Sequence, residues 1–364
     1  MLVFDTSALG DFKAHTNRGI GRFVRNLVNA LRLVGAKIKY VDLSRFVVVE
    51  KLINFLPRGK DLARNHVSYF LNSLKLGNDD VVLIPTQTDA PFLLSCNYIL
   101  IVHDVIPFKY PELYGARDRF LRYKIARFFE RRGIQRAKGI IAISHHVKDD
   151  LVNLFGLDPE RIKVCYQGID DLFFNQPIGE QKFNRKKLGF REDKKLFLYY
   201  GGCDARKNLK LFFEVAEYFQ DIFFVVVAPI DDVEKQKLMD RIPNLVIRSP
   251  CTDEELIQYI LISDCLFFPS LDEGFGLPVF EVSAIGKPVL ANRIRPFVDL
   301  FTDELWYFEP HFESAKECIK QFLKASEDQI RNRVSRAQKI AKSFTWANAV
   351  KQFKECIFGF GYDL

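Results

Sequence analysis

The sequence predicts an α/β fold built from two doubly wound domains with parallel sheets. Three observations support this prediction: the chain has 364 residues, short apolar runs alternate with helical patterns in both halves, and a polar stretch at 173–193 separates the halves. Because single hydrophobic cores stop growing at about 250–300 residues, this length favours two domains. Buried strands that alternate with helices are typical of parallel sheets.

The predicted strands of the first half are apolar runs that suit strands buried on both faces. They lie at 2–4, 38–41, 81–84, 98–102, 139–143 and 162–165. Apolar residues at helical spacing predict helices at 21–34, 117–135 and 146–155. We therefore predict a first domain over residues 1–175.

The second half begins with the apolar run KLFLYYGG, which leads into a predicted helix at 208–219. Further strands are predicted at FFVVVAP, LVIRSP, CLFFPS and PVLAN, and T-D-E-E at 252–255 has the spacing of a helix capping box. The polar stretch at 173–193 lacks apolar periodicity and is the predicted interdomain linker. We predict a second domain over 176–343. A final amphipathic helix over 344–364 is expected to pack back on the first domain, with packing on the second left open.

The composition excludes several classes of protein. The chain is 48% hydrophobic and 27% charged, with a mean hydropathy of −0.05, and it has no run of about 18 uncharged apolar residues, so we expect no transmembrane helix. The N-terminus resembles a strand, and we expect no secretion signal. Seven scattered cysteines, with no C-x-x-C pair, suit reduced thiols in a cytoplasmic protein. The six histidines do not cluster with them, so we expect no structural metal.

The positive charge is concentrated in the first half. Residues 1–175 contain 26 Lys and Arg against 18 Asp and Glu, a net charge of +8. The remaining residues have a net charge of −1, which gives the total of +7. The segment 117–138 has nine Lys and Arg interleaved with Phe120, Leu121, Phe128 and Phe129. Two interpretations stay equally open: a basic surface that contacts anionic lipid at the inner face of the membrane, or a helix with a solvated basic face. Nucleic-acid binding is not expected, because no recognised motif accompanies the charge.

The strongest candidate site is the segment from Glu273 to Glu281, which follows a predicted buried strand. Gly274 and Gly276 allow the backbone to approach a ligand closely, and the next helix would offer its free N–H groups to an anion. A carboxylate on the loop can accept hydrogen bonds from sugar hydroxyls, and one on the helix can bind a ribose diol. On spacing alone, a strand, a turn and a helix with two solvated acids is an equal alternative.

A second candidate loop, YYGGCDARKNL at 199–209, also runs from a strand through glycines to a helix. Arg206 and Lys207 lie at its turn, where two cations could neutralise a diphosphate. Alone, such a pair is more often solvated surface. Because parallel strands end at the same edge of a sheet, the two loops together predict a nucleotide-sugar pocket.

The sequence resembles the retaining glycosyltransferases of the GT-B class, and specifically family 4 with its E-x7-E motif. The matching segments are E-G-F-G-L-P-V-F-E at 273–281, G-G-C-D-A-R-K-N at 201–208, F-T-W at 344–346, I-V-H-D-V-I-P at 101–107 and I-A-I-S-H-H-V at 141–147. The resemblance extends over nearly the whole chain. It implies two Rossmann-like domains that face one another across a cleft.

The resemblance also implies roles for individual residues. Glu281 would hold the nucleoside ribose, Glu273 would contact the donor sugar, and Arg206 and Lys207 would bind the diphosphate. The residues implied in donor binding are Gly19, Gly21, Gly202, Arg206, Lys207, Phe275, Gly276, Leu277 and Glu281, and those implied in catalysis are His103, Glu273, Arg206 and Lys207.

The first-domain loops contribute weaker candidates. R-G-I-G-R-F at 18–23 lacks the third glycine of a dinucleotide fingerprint, so an NAD site is not expected. By the resemblance this glycine loop lies over the donor phosphates, where Arg18 and Arg22 could assist. His103, at the end of a predicted strand, would orient the donor sugar, although a strand-end histidine is more often structural. Asp104 either holds its ring or caps a turn, and Ser144 and His145 are weaker candidates again.

These residues predict a metal-independent transferase. No D-x-D triplet occurs, so we expect no divalent metal and no cofactor beyond the nucleotide-sugar donor. The resemblance implies retention of configuration, and it slightly favours GDP-mannose over a UDP-sugar. The expected acceptor is a glycan or a lipid-linked glycan of a surface polysaccharide. Two alternatives stay open: a non-catalytic nucleotide-sugar-binding subunit of a glycosyltransferase complex, and a GT-B-like epimerase or phosphorylase.

Overall fold

The computed structural model describes residues 1–9, 19–44, 67–77, 79–89, 96–114, 120–176, 185–186 and 189–364. The chain divides into two compact units: unit 1 comprises Met1–Gly168 and Trp346–Leu364, and unit 2 comprises Ile169–Thr345. Within these ranges, each unit contains one six-stranded sheet, and every strand pairing in both sheets is parallel. The predicted α/β fold with two doubly wound parallel sheets is therefore confirmed.

The strands of unit 1 match the sequence prediction to within one residue at each end. They are β1 (Leu2–Asp5), β2 (Lys39–Val41), β3 (Val81–Ile84), β4 (Asn97–Val102), β5 (Gly139–Ala142) and β6 (Ile162–Val164). Their spatial order is β2-β1-β3-β4-β5-β6. The chain thus leaves β1 towards one edge and returns to build the rest of the sheet on the other side, so the strand order reverses between β1 and β3.

The described helices of unit 1 before its last segment include all three that the sequence predicted. They are α1 (Gly19–Leu33), α2 (Tyr69–Ser73), α3 (Ile106–Lys109), α4 (Pro111–Tyr114), α5 (Phe120–Arg136) and α6 (His145–Phe155). α6 illustrates how local sequence sets the ends of a helix. Ser144 Oγ accepts a hydrogen bond from the Val147 N–H at its start, and Gly156 ends it with a φ of 64°, a left-handed conformation that glycine adopts without strain.

Unit 2 has a second sheet of the same kind. Its strands are β7 (Lys195–Tyr200), β8 (Ile222–Val227), β9 (Leu245–Arg248), β10 (Cys265–Phe268), β11 (Val289–Asn292) and β12 (Trp306–Phe308). The spatial order is β12-β11-β10-β7-β8-β9. The chain builds outwards from β7 to β9 and then crosses back to β10, so the strand order reverses between β7 and β10.

From residue 189 onwards, five helices of unit 2 connect successive strands and two follow β12. They are α7 (Leu209–Tyr218), α8 (Asp232–Arg241), α9 (Asp253–Ile262), α10 (Leu277–Ile285), α11 (Phe297–Leu300), α12 (Phe312–Lys324) and α13 (Glu327–Ala341). The predicted capping box of Thr252 and Glu255 is confirmed at the start of α9. A second capping box, of Ser326 and Gln329, begins α13. Both motifs satisfy backbone N–H groups that a helix start leaves unpaired.

The last helix, α14 (Trp346–Gly359), belongs to unit 1. The Cys165 thiol donates to the Ala349 carbonyl oxygen over 3.4 Å, and the Tyr166 N–H donates to Gln352 Oε1 over 3.1 Å. At the start of the helix, a Cβ on Gly168 would lie 2.7 Å from the Trp346 Cα. Glycine at 168 therefore permits the close approach of α14 to the residues that follow β6.

Candidate active site

The strand order of unit 2 brings two loops together at one edge of the sheet. β7 and β10 are paired neighbours, and the direction of building reverses between them. In open α/β sheets, ligands bind outside the carboxyl ends of the strands at such a reversal, because the loops there diverge and leave a crevice. The loop after β7 contains Arg206 and Lys207, and the loop after β10 contains Glu273.

The loop after β7 is a tight turn. Gly201 has a φ of 141°, and a Cβ on Gly202 would lie 2.9 Å from Asp204 Oδ2. A 3-10 turn follows at Ala205–Lys207, and Asn208, with a left-handed φ of 52°, leads into α7. The two basic side chains therefore come from a single turn at the carboxyl end of β7.

The loop after β10 ends at Gly276, which has a φ of 85° and precedes α10. A side chain at this position would collide with the ring of Phe297, so both the backbone conformation and the packing require glycine. Pro278 lies in the first turn of α10, where its missing N–H costs nothing. The positive end of the α10 dipole therefore lies at the end of this loop.

Glu273 joins the two loops through an ion cluster. Its Oε1 accepts hydrogen bonds from Lys207 Nζ over 2.5 Å and from Ser270 Oγ over 2.7 Å, and its Oε2 accepts from Arg206 Nη1 over 2.7 Å. Arg206 Nη1 also donates to the Asp272 carbonyl oxygen over 3.0 Å. The structure thus brings together three of the four residues that the resemblance implies in catalysis. Because two cationic side chains already bind this carboxylate, it is poorly placed to be the ligand of a metal cation.

The charges of this cluster are strongly coupled. Burial would raise the pKa of Glu273, but Arg206, Lys207 and the Ser270 hydroxyl outweigh it and lower the pKa to about 2. Burial lowers the pKa of Lys207, and the Glu273 carboxylate offsets part of this effect. Glu273 is therefore ionised at neutral pH, and the carboxylate compensates two cations that lie at the reversal of the sheet.

Glu281 lies in α10 and is bound to β7. The Tyr200 hydroxyl donates to Glu281 Oε2 over 2.8 Å and lies 3.2 Å from the Pro278 carbonyl oxygen. Both side chains are buried, with 2% of Glu281 and 6% of Tyr200 exposed. Charged side chains are rarely this buried without a partner. The hydrogen bond from Tyr200 therefore helps to stabilise the buried Glu281 side chain.

Ser270 and Tyr200 are two polar residues of the site that were not predicted from the sequence. Each is the polar residue at, or just after, the end of a buried strand, Ser270 after β10 and Tyr200 as the last residue of β7. Because the carboxyl ends of parallel strands face the ligand crevice, a polar residue at this position could have been predicted as a site residue from the sequence.

Phe275 has its side chain in the core of unit 2. The ring stacks on Phe280 with centroids 4.0 Å apart, and Phe344 packs against both rings. Only the backbone of Phe275 is then available to a ligand, together with that of Gly276 and Leu277 at the start of α10. Donor binding by this segment, which the resemblance implies, would therefore use its backbone.

His103, in unit 1, follows β4 at the carboxyl edge of that sheet. Its Nε2 lies 2.9 Å from the Pro85 carbonyl oxygen, and its backbone N–H donates to Gln87 Oε1 over 3.1 Å. Its ring is perpendicular to the Phe23 ring, with centroids 4.7 Å apart. Since a carbonyl can only accept, Nε2 carries a proton. Asp104 Oδ1 accepts from the Ile106 N–H over 3.2 Å, which is the turn-capping role.

The other first-domain candidates lie at helix starts. Gly19 and Gly21 form the first turn of α1, which begins two residues earlier than predicted. Ser144 caps α6, and the His145 ring lies against Tyr166. Arg18 lies outside the described residues.

The basic helix α5 presents apolar and basic side chains to solvent. Phe128 is 53% exposed and Ile125 is 41% exposed. The guanidinium group of Arg132 lies 5.4 Å from the centroid of the Phe128 ring. Lys124 and Arg131 are also exposed. Across the described ranges, no helix is both long enough and apolar enough to span a membrane.

Two family models match consecutive parts of the chain. The model described as Glycosyltransferase Family 4 matches residues 17–171, and the model described as Glycosyl transferases group 1 matches residues 180–342. The boundary between the two matches lies between β6 and β7. The first match covers β2 to β6 and begins after β1, and the second covers all six strands of the unit 2 sheet.

The chain is also similar to curated mannosyltransferases. It is 26% identical over 263 residues to the O-antigen chain mannosyltransferase RfbU of Salmonella typhimurium, a match that covers 71% of this chain and 68% of RfbU. It is 22% identical over 287 residues to the serotype-specific mannosyltransferase WbdA of Escherichia coli, covering 75% of this chain and 34% of WbdA. The match therefore spans about a third of WbdA.

Among solved structures, the chain is similar to WaaG, described as a glycosyltransferase involved in lipopolysaccharide biosynthesis. The TM-score is 0.72 with 15% sequence identity, and the match covers 100% of both chains. At this identity the likeness concerns the fold.

Proposed function

Because the chain belongs to the family 4 glycosyltransferases and has the GT-B fold, we propose that it transfers a sugar from a nucleoside-diphosphate donor to a glycan or lipid-linked glycan. The assembly of a bacterial surface polysaccharide, such as an O-antigen, is the process that the relatives support. GDP-mannose is the favoured donor, since two relatives are named mannosyltransferases. A UDP-sugar is the other candidate.

The ion cluster at the reversal of the unit 2 sheet is the observation that carries this proposal. Arg206 and Lys207 come from one turn, and the α10 N-terminus follows the neighbouring loop. A diphosphate needs such a combination of cations and oriented N–H groups. The Glu273 carboxylate pairs with both cations. We expect donor binding to rearrange this cluster, with the diphosphate sharing the cations and Glu273 contacting the sugar.

The chemistry that follows is electrostatic stabilisation of the departing nucleoside diphosphate. Negative charge grows on the leaving-group oxygens, and cations positioned beforehand stabilise that charge without reorganising. No metal ion is required in this scheme. The acceptor hydroxyl attacks from the leaving-group side, its proton passes to a phosphate oxygen, and the anomeric configuration is retained. His103 orients the donor sugar.

A transfer assay with purified donor tests the proposal. We expect the Glu273→Ala/Arg206→Ala double variant to lose at least about 10²-fold in transfer rate, because each preorganised charge of this kind contributes about 10²–10³-fold. The matched control is Arg191→Ala/Asp193→Ala, which removes an exposed Arg–Asp pair of the same unit and should transfer sugar at the wild-type rate. Full activity of the Glu273/Arg206 variant would refute the site assignment.

A thermal-shift panel of GDP, UDP, ADP and their sugars identifies the base. A ligand at a hundredfold excess over its Kd stabilises the folded protein by about 2.7 kcal/mol, so a selective nucleotide should raise the unfolding temperature measurably. An unchanged unfolding temperature with every nucleotide would contradict the proposed function as a whole.

The exposed face of α5 supports contact with anionic lipid, as a lipid-linked acceptor would require. Exposed Phe128 and Ile125 lie among cations, and this combination favours the interface of an anionic bilayer. We expect the protein to float with phosphatidylglycerol vesicles and not with phosphatidylcholine vesicles. Phe128→Glu should abolish flotation, whereas Phe358→Glu, at a residue 72% exposed on α14, should not. If both variants float with the vesicles, or if neither does, the exposed face of α5 is not the membrane-binding surface.

A further inference from the structure

Tyr200 links the two loops that form the candidate donor site. It is the last residue of β7, and its hydroxyl contacts α10 at two points, Glu281 Oε2 at 2.8 Å and the Pro278 carbonyl oxygen at 3.2 Å. The phenol has a single proton, and a hydrogen bond to a carboxylate is roughly twice as strong as one to a neutral carbonyl. The proton therefore belongs to the bond with Glu281.

This hydrogen bond has two physical effects on the carboxylate. A phenol that donates to a carboxylate favours its ionised form, which can only accept. It also holds one carboxylate oxygen at a fixed place, although a glutamate side chain has three rotatable bonds. A ribose diol presents two O–H donors, so a fixed and ionised acceptor is what it requires.

We propose that Tyr200 is a positioning residue for ribose recognition, acting through Glu281. The proposal rests on the proposed function, in which Glu281 binds the ribose of the nucleotide donor. It goes beyond that function because Tyr200 lies outside the E-x7-E segment and at the end of a different strand. One strand end then supports both halves of the nucleotide: Tyr200 orients the ribose acceptor, and Arg206 and Lys207, six and seven residues later, meet the phosphates.

Nucleotide affinities test this proposal directly. Calorimetric titration with GDP and with UDP first shows which nucleotide the wild-type protein binds. The affinity for that nucleotide is then compared with the affinity for its 2′,3′-dideoxy analogue. We expect Tyr200→Phe to weaken binding of the ribonucleotide about tenfold, the effect of one lost hydrogen bond to a charged group, and to leave the dideoxy analogue unchanged. The matched control is Tyr307→Phe, which removes a hydroxyl that donates to the Phe301 carbonyl oxygen in the same unit. It should change neither affinity.

The Tyr200→Phe protein could fail to fold, because it leaves the buried Glu281 carboxylate without its hydrogen-bond donor. A second comparison, made in a Glu281→Gln protein, keeps the proposal testable in that case. In a Glu281→Gln protein no carboxylate remains at that position, so adding Tyr200→Phe should not change ribonucleotide affinity further. An equal loss for ribonucleotide and dideoxy analogue, no loss for either, or a further tenfold loss in the Glu281→Gln background would each overturn the proposal. If wild type binds neither nucleotide, the proposed function fails and this inference fails with it.

Discussion

Replacing Glu273 by glutamine should destabilise unit 2 by about 3.5 kcal/mol at pH 7. The pKa of this carboxyl falls from 4.5 to about 2 on folding, a difference of about 2.5, and each unit of pKa is worth about 1.4 kcal/mol. Glutamine has the same shape but no charge, so the variant also leaves Arg206 and Lys207 as neighbouring cations without their shared anion. A buried ion cluster that loses one partner is strongly destabilised for this reason.

The pH dependence of this loss has a definite sign. Because the pKa of Glu273 is lower in the folded state, its contribution is fully present above about pH 4.5 and is lost as the pH falls towards 2. About 1.4 kcal/mol of it should be gone at about pH 3.5. The difference in stability between wild type and Glu273→Gln should therefore narrow by that amount between pH 7 and pH 3.5.

Urea denaturation followed by tryptophan fluorescence can measure this difference in unit 2 alone. The chain has two tryptophans, Trp306 in unit 2 and Trp346 in unit 1, so a Trp346→Phe background leaves a reporter for unit 2. Asp193→Asn, which breaks an exposed pair with Arg191, should leave the denaturation midpoint unchanged. If Glu273→Gln unfolds at the wild-type urea concentration at pH 7, the reasoning about the cluster is refuted.

Two further substitutions test particular features of the fold and the site. Gly276→Ala should lower stability by about 2–4 kcal/mol, since it combines a left-handed backbone with a collision against Phe297. Gly35→Ala, which has the same strain in open space, should cost only about 1 kcal/mol, and equal unfolding temperatures for the two variants would contradict this account. His103→Ala should reduce sugar transfer about 10²-fold while nucleotide affinity stays constant. The surface His311→Ala should keep full activity, and weakened nucleotide binding in His103→Ala would argue instead for a structural role.

The strands were predictable because burial on both faces leaves a local signal. A run such as Ile99 to Val102 is apolar at every position since helices cover both sides of a parallel sheet. Helix ends were predictable where a side chain satisfies the backbone within the same turn, as Thr252 and Glu255 do in α9. The approximate position of the candidate site followed as well, because parallel strands end at one edge and carry their loops with them.

The partners within the site could not be predicted, because they depend on which strands become neighbours. The reversal of the sheet makes β7 adjacent to β10, and that adjacency lets Glu273 bind Arg206 and Lys207 from a loop 66 residues earlier. The same adjacency brings Tyr200 to Glu281, 81 residues away. Nothing in the spacing of either segment encodes these contacts.

The sequence by itself determined the fold class, the ends of the unit 1 strands to within one residue, the capping box of α9 and the two loops that could hold a nucleotide sugar. Each of these depends on a residue and its near neighbours along the chain. The tertiary structure alone decided that Glu273 compensates the cations of Arg206 and Lys207, that Phe275 lies in the core, and that Gly276 lies against Phe297. Each of these depends on side chains that meet across the order of a sheet, and local periodicity carries no information about that order.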